Sequence, residues 1–323
     1  MGIQNKEAAF SKTLNNSISQ RLKKQWLIQL FVLSGLTFLI IFKFIPMFGI
    51  LMAFKHYSIS SGIAGIFTSK WAGLDHFTEF FTDYKAWSII KNTLAISVLK
   101  VIFSFPVPII LALMINEIRS PFMKRFTQTA SYLPHFISWV IITGMAGAFF
   151  SDTRGVINIL LTNIGLEHVS ILTDSGSFWG LAVVSSVWKE SGWWSIIFLA
   201  SIAGIDPSLY EAASIDGASR LRRIFSITLP SMTGSIIVVL ILTIGSLLGG
   251  GLVGSNFEQS MLLGNVMNND KSEIIQTFAF RTGLANGRFD YATAIDLIQA
   301  VISVALIFSS NFIAKKVTKY GLF

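Results

Sequence analysis

The sequence has no cysteine and little charge. The absence of cysteine in 323 residues excludes a disulfide scaffold, an iron–sulfur site and a thiolate nucleophile. Charged residues make up 13% of the chain, against roughly 25% in soluble domains, which argues against a soluble enzyme. The dipeptide Gly-Lys does not occur, so there is no P-loop and no site of that kind for ATP. The four histidines, His56, His76, His135 and His168, are scattered without metal-ligand spacing, and no metal site is expected. No Gly-x-Ser-x-Gly elbow is present, and no nucleophile–base constellation stands out. Nothing positive therefore points to a catalyst.

What the chain does have is apolar length. Hydrophobic residues make up 52% of it, with 28 Phe and 8 Trp. A span needs about 20 mostly apolar residues to cross about 30 Å of hydrocarbon. Six runs qualify: Leu27 to Phe54, Ile89 to Ile115, Ser131 to Phe150, Phe178 to Ile205, Ser231 to Val253 and Ala292 to Ala314. The first is too long for a cleavable signal peptide, and no small-residue cleavage site follows it. The runs are continuous and not alternating, so membrane strands are excluded and an all-α bundle of six transmembrane helices is predicted. The longer connections, roughly 55–88, 151–177 and 254–291, read as outer loops; the last carries a turn-rich stretch at 265–270 and then a short helix near Ile274 to Arg281.

Charge sets the orientation. Residues 1–26, Asn116 to Ala130, Asp206 to Pro230 and Lys315 to Phe323 together hold 14 Lys/Arg and 5 acidic residues, a balance of +9. Everything else carries −1 of the total +8. The positive-inside rule then predicts a multi-pass protein of the cytoplasmic (inner) membrane with both termini cytoplasmic. It accounts for the basic excess without nucleic acid, because that excess is divided among four short segments that each abut a span.

The most informative stretch is Asp206-Pro-Ser-Leu-Tyr-Glu-Ala-Ala-Ser-Ile-Asp-Gly217, running on to Ile227-Thr-Leu-Pro230. Asp206 reads as an N-cap with Pro207 in the first helical position. Gly217 either ends that short helix or admits a close backbone approach. Arg220, Arg222 and Arg223 follow on a second short segment. The loop reads as a helix-turn-helix under the membrane, with small residues on an exposed face.

Glu211-Ala212-Ala213, three residues, Gly217, nine residues, then Ile227-x-Leu229-Pro230 resembles the EAA motif of ABC importer permeases. Trp188-Lys-Glu-Ser-Gly-Trp193, the stretch Arg125 to Trp139 and Phe105-Pro-Val-Pro to Glu117 resemble the polysaccharide/oligosaccharide permease branch of that family. The likeness covers about 25–320. Asp296 is a departure, since Gly is expected there in relatives, and an acid inside a span is costly. The resemblance implies a type I ABC importer permease fold. Its parts would be a basic cytoplasmic segment 1–26, a first helix 27–54, a five-helix domain 88–314 with a coupling loop 206–230, and a tail 315–323. It also implies a second homologous permease, two cytoplasmic ATPase subunits that hold the ATP and Mg, an extracytoplasmic solute-binding protein and an oligosaccharide substrate. This chain would bind no cofactor. Glu211, Ala212, Ala213, Asp216 and Gly217 would dock into the ATPase. A secondary transporter or channel needing no ATPase is the alternative; it would leave the EAA spacing unexplained.

Candidates for the solute path are Lys43, Lys100, Trp188, Lys189, Glu190, Trp193 and Trp194. The three lysines lie 16 or 17 residues above their spans' inner ends, about 25 Å at 1.5 Å per residue. Two readings stand: each lysine snorkels to the outer surface, or together they form a basic ring favouring acidic oligosaccharides. Glu190 is expected to diverge by about 100° from Lys189 on a helix and need not neutralise it. The tryptophans fit either sugar stacking or membrane-belt and packing roles.

Overall fold

The computed structural model describes residues 23–249, 256–318 and 321. The N-terminal basic segment up to residue 22, the end of the fifth apolar run at 250–253 and most of the tail beyond 318 lie outside the described residues. The described residues are mainly helical. Among the described residues the one strand-like feature is an isolated antiparallel bridge between Lys55 and Trp71.

Helix α1 (Trp26–Leu39) continues through a π-turn (Ile40–Phe44) and a 3-10 stretch (Pro46–Phe54) to make the first span. No residue of α1 is buried, so this span lies on the outside of the bundle. Two short helices follow, α2 (Gly62–Thr68) and α3 (Asp75–Thr82). The second span is α4 (Ala86–Leu99), a π-turn (Lys100–Ser104) and α5 (Pro106–Asn116). The third is α6 (Pro121–Tyr132), a 3-10 turn (Leu133–Phe136) and α7 (Trp139–Phe150), followed by α8 (Val156–Asn163). The fourth, α9 (Phe178–Ala203), leads into the short α10 (Pro207–Ile215) and α11 (Arg220–Arg223). A π-turn (Ile224–Thr228) opens the fifth span, α12 (Leu229–Gly249). Then come α13 (Asn256–Leu263), α14 (Asn269–Ser272), α15 (Ile275–Leu284) and the sixth span, α16 (Phe289–Thr318).

Within the described residues all six apolar runs lie on helical segments, four of them long and apolar enough to span by themselves and two as bent pairs, but one expectation is corrected. The third span is not one helix over Ser131 to Phe150: it is broken, with a bend of 98° between Pro121–Phe136 and Trp139–Phe150. Pro134 lies in the break and has no N–H to continue the ladder. The connection 256–291, expected as an outer loop with a short helix near Ile274 to Arg281, contains that helix as α15 and is packed into the bundle. Asn92 Nδ2 donates to the carbonyls of Asp270 (2.8 Å) and Glu273 (3.0 Å), and Thr93 Oγ1 accepts from Ile275 N (3.0 Å). Asn256 donates to Ser97, and Gln259 donates to the Ala182 carbonyl, so α13 to α15 pack back between α4 and α9.

Prolines explain the irregular turns. Each of the three π-turns ends two residues before a proline: Ile40–Phe44 before Pro46, Lys100–Ser104 before Pro106, Ile224–Thr228 before Pro230. A proline ring collides with the carbonyl four residues back, and widening that turn relieves the collision without opening the helix. In each case the closing bond spans five residues, as in Phe105 N to Lys100 O at 3.0 Å.

The buried face of α9 is a row at every fourth position: Phe178, Ala182, Ser186, Glu190, Trp194, Phe198 and Ile202. Such i, i+4 rows form the ridges along which helices pack. The inner part of this row joins Ala112, Met232 and Val239, and the other part joins Ile96, Trp139, Ile142, Leu263 and Ile274. A third cluster (Phe80, Ile89, Ile275, Tyr291, Ile295) holds α3 against the start of α16.

A polar clasp closes the same place. Arg288 Nη1 and Nη2 donate to the two oxygens of Glu79 at 2.5 and 2.7 Å, and His76 lies 3.5 Å from Asp290. The Arg288 hydrogen bond holds the Glu79 carboxyl below its ordinary value of 4.5. A lowered folded-state pKa stabilises above the unfolded value and is lost as pH falls through the folded one. Both side chains are about two-fifths exposed, so the clasp is worth at most about 1 kcal/mol. Amide exchange in α3, corrected for intrinsic rates, should be unchanged from neutral pH down to about pH 5 and rise on further acidification. Glu79→Gln should show the faster exchange already at neutral pH.

Candidate docking loop and buried charge cluster

The loop after α9 is built from local signals. Asp206 Oδ1 accepts from Ser208 N at 2.9 Å, capping α10, and Pro207 sits in the first turn, where no donor is required. The Ser208 N–H holds the Asp206 carboxyl below the usual carboxylate range. At the other end Gly217 N donates to Ser214 O (3.1 Å) and Ala218 N to Ala213 O (2.9 Å), the paired bonds of a Schellman cap. That cap needs a left-handed residue, and Gly217 has φ 73°. No atom lies within 4 Å of where a Cβ would stand. Within the chain, then, the backbone and not crowding requires glycine here. Ser219 caps α11 through Arg222 N.

This loop displays chemistry outward. Glu211, Ala212, Asp216 and Gly217 are exposed and Ala213 is half-buried. Neither the Glu211 nor the Asp216 carboxylate has a partner among the described residues. Ile215 is 87% exposed, and Leu209, Leu221 and Phe225 are exposed too. Tyr210 Oη is 2.9 Å from Thr228 Oγ1, which ties α10 to the π-turn below α12. Between them lies a cleft of about 390 Å³ lined by Asn116, Glu117, Tyr210 and Arg223 among others.

The solute-path candidates are arranged differently from either sequence reading. Lys43 is exposed on the first span. Lys100 is 1% exposed and donates to Asn256 Oδ1 at 2.6 Å. Lys189 is buried and donates to the carbonyls of His135 (2.5 Å) and Ile137 (2.8 Å) in the broken third span. The lysines form no ring, and Lys100 and Lys189 do not snorkel. Glu190 is also corrected: its Oε1 is 3.7 Å from Lys189 Nζ, because the long lysine stem bends back across the angle separating neighbouring Cβ atoms. Its Oε2 accepts from His135 Nδ1 at 2.7 Å. Trp193 stacks on the His135 ring, centroids 4.6 Å apart and planes 3° from parallel. Trp188 is half-exposed in an apolar groove with Met145, Phe149 and Val184. Trp194 is buried and lines a small closed cavity with Ser104, Ser186, Glu190 and Thr243. Sequence reasoning missed His135 and Asn256. The signal for His135 was its place beside Pro134 inside an apolar run; Asn256 had none.

Comparison with known proteins places this geometry. Residues 104–319 match the family described as binding-protein-dependent transport system inner membrane component. The chain belongs to that family. It is 42% identical to the protein LplB of Bacillus subtilis (strain 168), over 94% of this chain and 92% of LplB. It is 39% identical to the polygalacturonan/rhamnogalacturonan transport system permease protein YteP of the same organism, over 97% and 95%. A crystal structure of a bacterial ABC transporter involved in importing the acidic polysaccharide alginate contains a chain that superposes with a TM-score of 0.83 at 37% identity, covering 94% of this chain and 99% of that one. A crystal structure of a bacterial alginate ABC transporter in complex with an alginate pentasaccharide-bound periplasmic protein gives 0.83 at 38%, over 94% of this chain and 99% of that one. The fold is that of a type I ABC importer permease, a multi-pass inner-membrane subunit, and the alternative of an ATP-independent carrier or channel falls away.

Two outcomes follow from the geometry. Lys189→Met removes the donor to two carbonyls and strips Glu190 of its cation. Breaking one partner out of a buried pair costs about 3–5 kcal/mol, so the melting temperature in detergent should fall sharply. Lys189→Gln, which keeps an N–H donor, should fall less. Gly217→Ala meets no atoms but places a Cβ in the left-handed region, at about 1–2 kcal/mol of local strain. Amide exchange in α10 should rise while the spans keep their protection.

Proposed function

We propose that this chain is one half of the translocation pathway of an ATP-driven oligosaccharide importer. The observation that carries the reading is the capped helix α10, which presents Glu211, Ala212, Ala213, Asp216 and Gly217 outward with their carboxylates unengaged. The partners are a second homologous permease, two cytoplasmic ATPase subunits and an extracytoplasmic solute-binding protein. ATP and Mg belong to the ATPases, and this chain contributes no catalytic group. The ATPase groove takes α10 because two alanines allow close approach and Glu211 supplies a charge to pair with a basic residue or backbone donors. Both termini lie in the cytoplasm, with the docking loop on their side, in agreement with the charge balance of +9 there.

The substrate class we infer is an oligosaccharide, acidic in character. Its support is the pair of relatives named for polygalacturonan/rhamnogalacturonan and for alginate. The lysines add no support, since the chain itself holds Lys100 and Lys189.

Glu211→Lys and Gly217→Trp, expressed with the wild-type partners, test the reading. Loss of a charge-assisted hydrogen bond costs about 1.5–3 kcal/mol, so ATPase co-purification and sugar-stimulated ATP hydrolysis should drop more than about tenfold for Glu211→Lys while membrane insertion is unchanged. Wild-type values in properly inserted variants would overturn it. Orientation is read independently: with no native cysteine, a Cys at Ser11 or Thr318 should react with an impermeant thiol reagent only after the membrane is opened.

A further inference from the structure

Buried polar atoms in proteins nearly always have a partner, either protein or ordered water. Among the described residues ten buried side-chain polar atoms have none within the chain. Four of the ten, Ser104 Oγ, Ser186 Oγ, Trp194 Nε1 and Thr243 Oγ1, belong to residues that line one cavity, and all four residues are more than nine-tenths buried. Glu190, 5% exposed, lines it too. The rest of its wall is Ser191, whose hydroxyl already donates to the Val187 carbonyl, and the apolar Phe105, Pro108, Phe198 and Val239. Its volume is about 20 Å³, room for a single water and far too little for a sugar ring.

We propose that this cavity is a structural water site joining three spans directly and a fourth through Glu190. Trp194 can only donate, the Glu190 carboxylate only accepts, and the three hydroxyls do either. A water suits that mixture: it accepts from the indole and donates to two of the oxygens. A cation does not suit it, because an indole N–H can only donate and Lys189 already lies 3.7 Å from the same carboxylate. Ser104 ends the π-turn of the second span, Ser186, Glu190 and Trp194 are on the fourth, and Thr243 is on the fifth. Through Glu190 the chain of polar contacts continues to His135 in the broken third span. The water thereby links the widened turn before Pro106 to the break at Pro134, the two irregular points that the bundle must hold in register.

Pulsed X-ray footprinting of the purified importer tests the site, because radiolysis of a bound water makes hydroxyl radical in place. Trp194 should be oxidised although it is shut off from solvent, while Trp139, equally buried and away from the cavity, should not. Ser186→Val fills the space, and labelling of Trp194 should be lost; should that variant fail to insert, Thr243→Val removes one of the water's partners and should reduce it. A high-resolution map of the importer should show a peak within hydrogen-bond distance of Trp194 Nε1 and at least two of the oxygens. Unlabelled Trp194 in the wild type, labelling unaffected by either substitution, or a map showing no such peak would overturn the proposal.

Discussion

Lys189 allows a span to break inside a membrane. Hydrocarbon offers no water to a free carbonyl, so any interruption of a helix there must be satisfied by the protein itself. The bend at Leu133–Phe136 frees the carbonyls of His135 and Ile137, and the Lys189 ammonium takes both. That buried cation is met by Glu190, and the second oxygen of Glu190 is met by His135, a residue of the break itself. The circuit closes on its origin. It also requires the two segments to touch, and Gly192 is why they can: a Cβ there would stand 1.9 Å from the Ser131 carbonyl oxygen. Within four consecutive positions, Lys189, Glu190 and Gly192 thus supply charge, counter-charge and clearance for one joint.

The helix that carries this joint runs on unbroken to the loop before α10. Helix α9 is 26 residues long without interruption, about 39 Å at 1.5 Å per residue. Three residues separate its end from α10, and Tyr210 fastens α10 to Thr228 at the foot of the fifth span. On the proposed reading, a push on α10 reaches the fourth span through covalent continuity and the fifth through that hydrogen bond. The π-turn at Ile224–Thr228 lies where the second route enters, so the fifth span starts from a widened and less tightly wound turn.

How much of this was legible in the sequence depends on the range of the interaction. Helix α10 was legible in detail because its determinants are local: a capping Asp, Pro in the first turn, Gly at the left-handed position. The spans were legible because apolar length is a property of composition. The break in the third span had a signal in Pro134, but hydropathy runs straight through it. The return of α13 to α15 into the bundle was hidden for a different reason. Asn92, Thr93, Ser97 and Lys100 form a polar row along α4 and the start of the π-turn, and their partners are backbone groups and an amide some 160–180 residues away. A polar row in an apolar run announces that something polar lies opposite, not what. Rise per residue likewise gave heights for the three lysines but neither their direction nor their partners.

That last point bears on how this chain presents charge to a solute. Two buried ammonium groups outnumber the one carboxylate beside them, which would read as a positive patch if charges were merely counted. Yet Lys189 spends its donors on two carbonyl dipoles and Lys100 one of its donors on an amide oxygen, so much of their field is answered within the protein. The exposed acid of the sixth span is in the opposite situation. Asp296 has no hydrogen bond or ion pair among the described residues, and it opens on a groove with Phe257, Gln276, Phe280 and Thr293. An isolated carboxylate on a span is expensive against lipid and is retained where water, a ligand or a partner meets it. Lys189 is consumed in holding the broken helix together and Lys100 in holding α13, whereas Asp296 stays open on its groove.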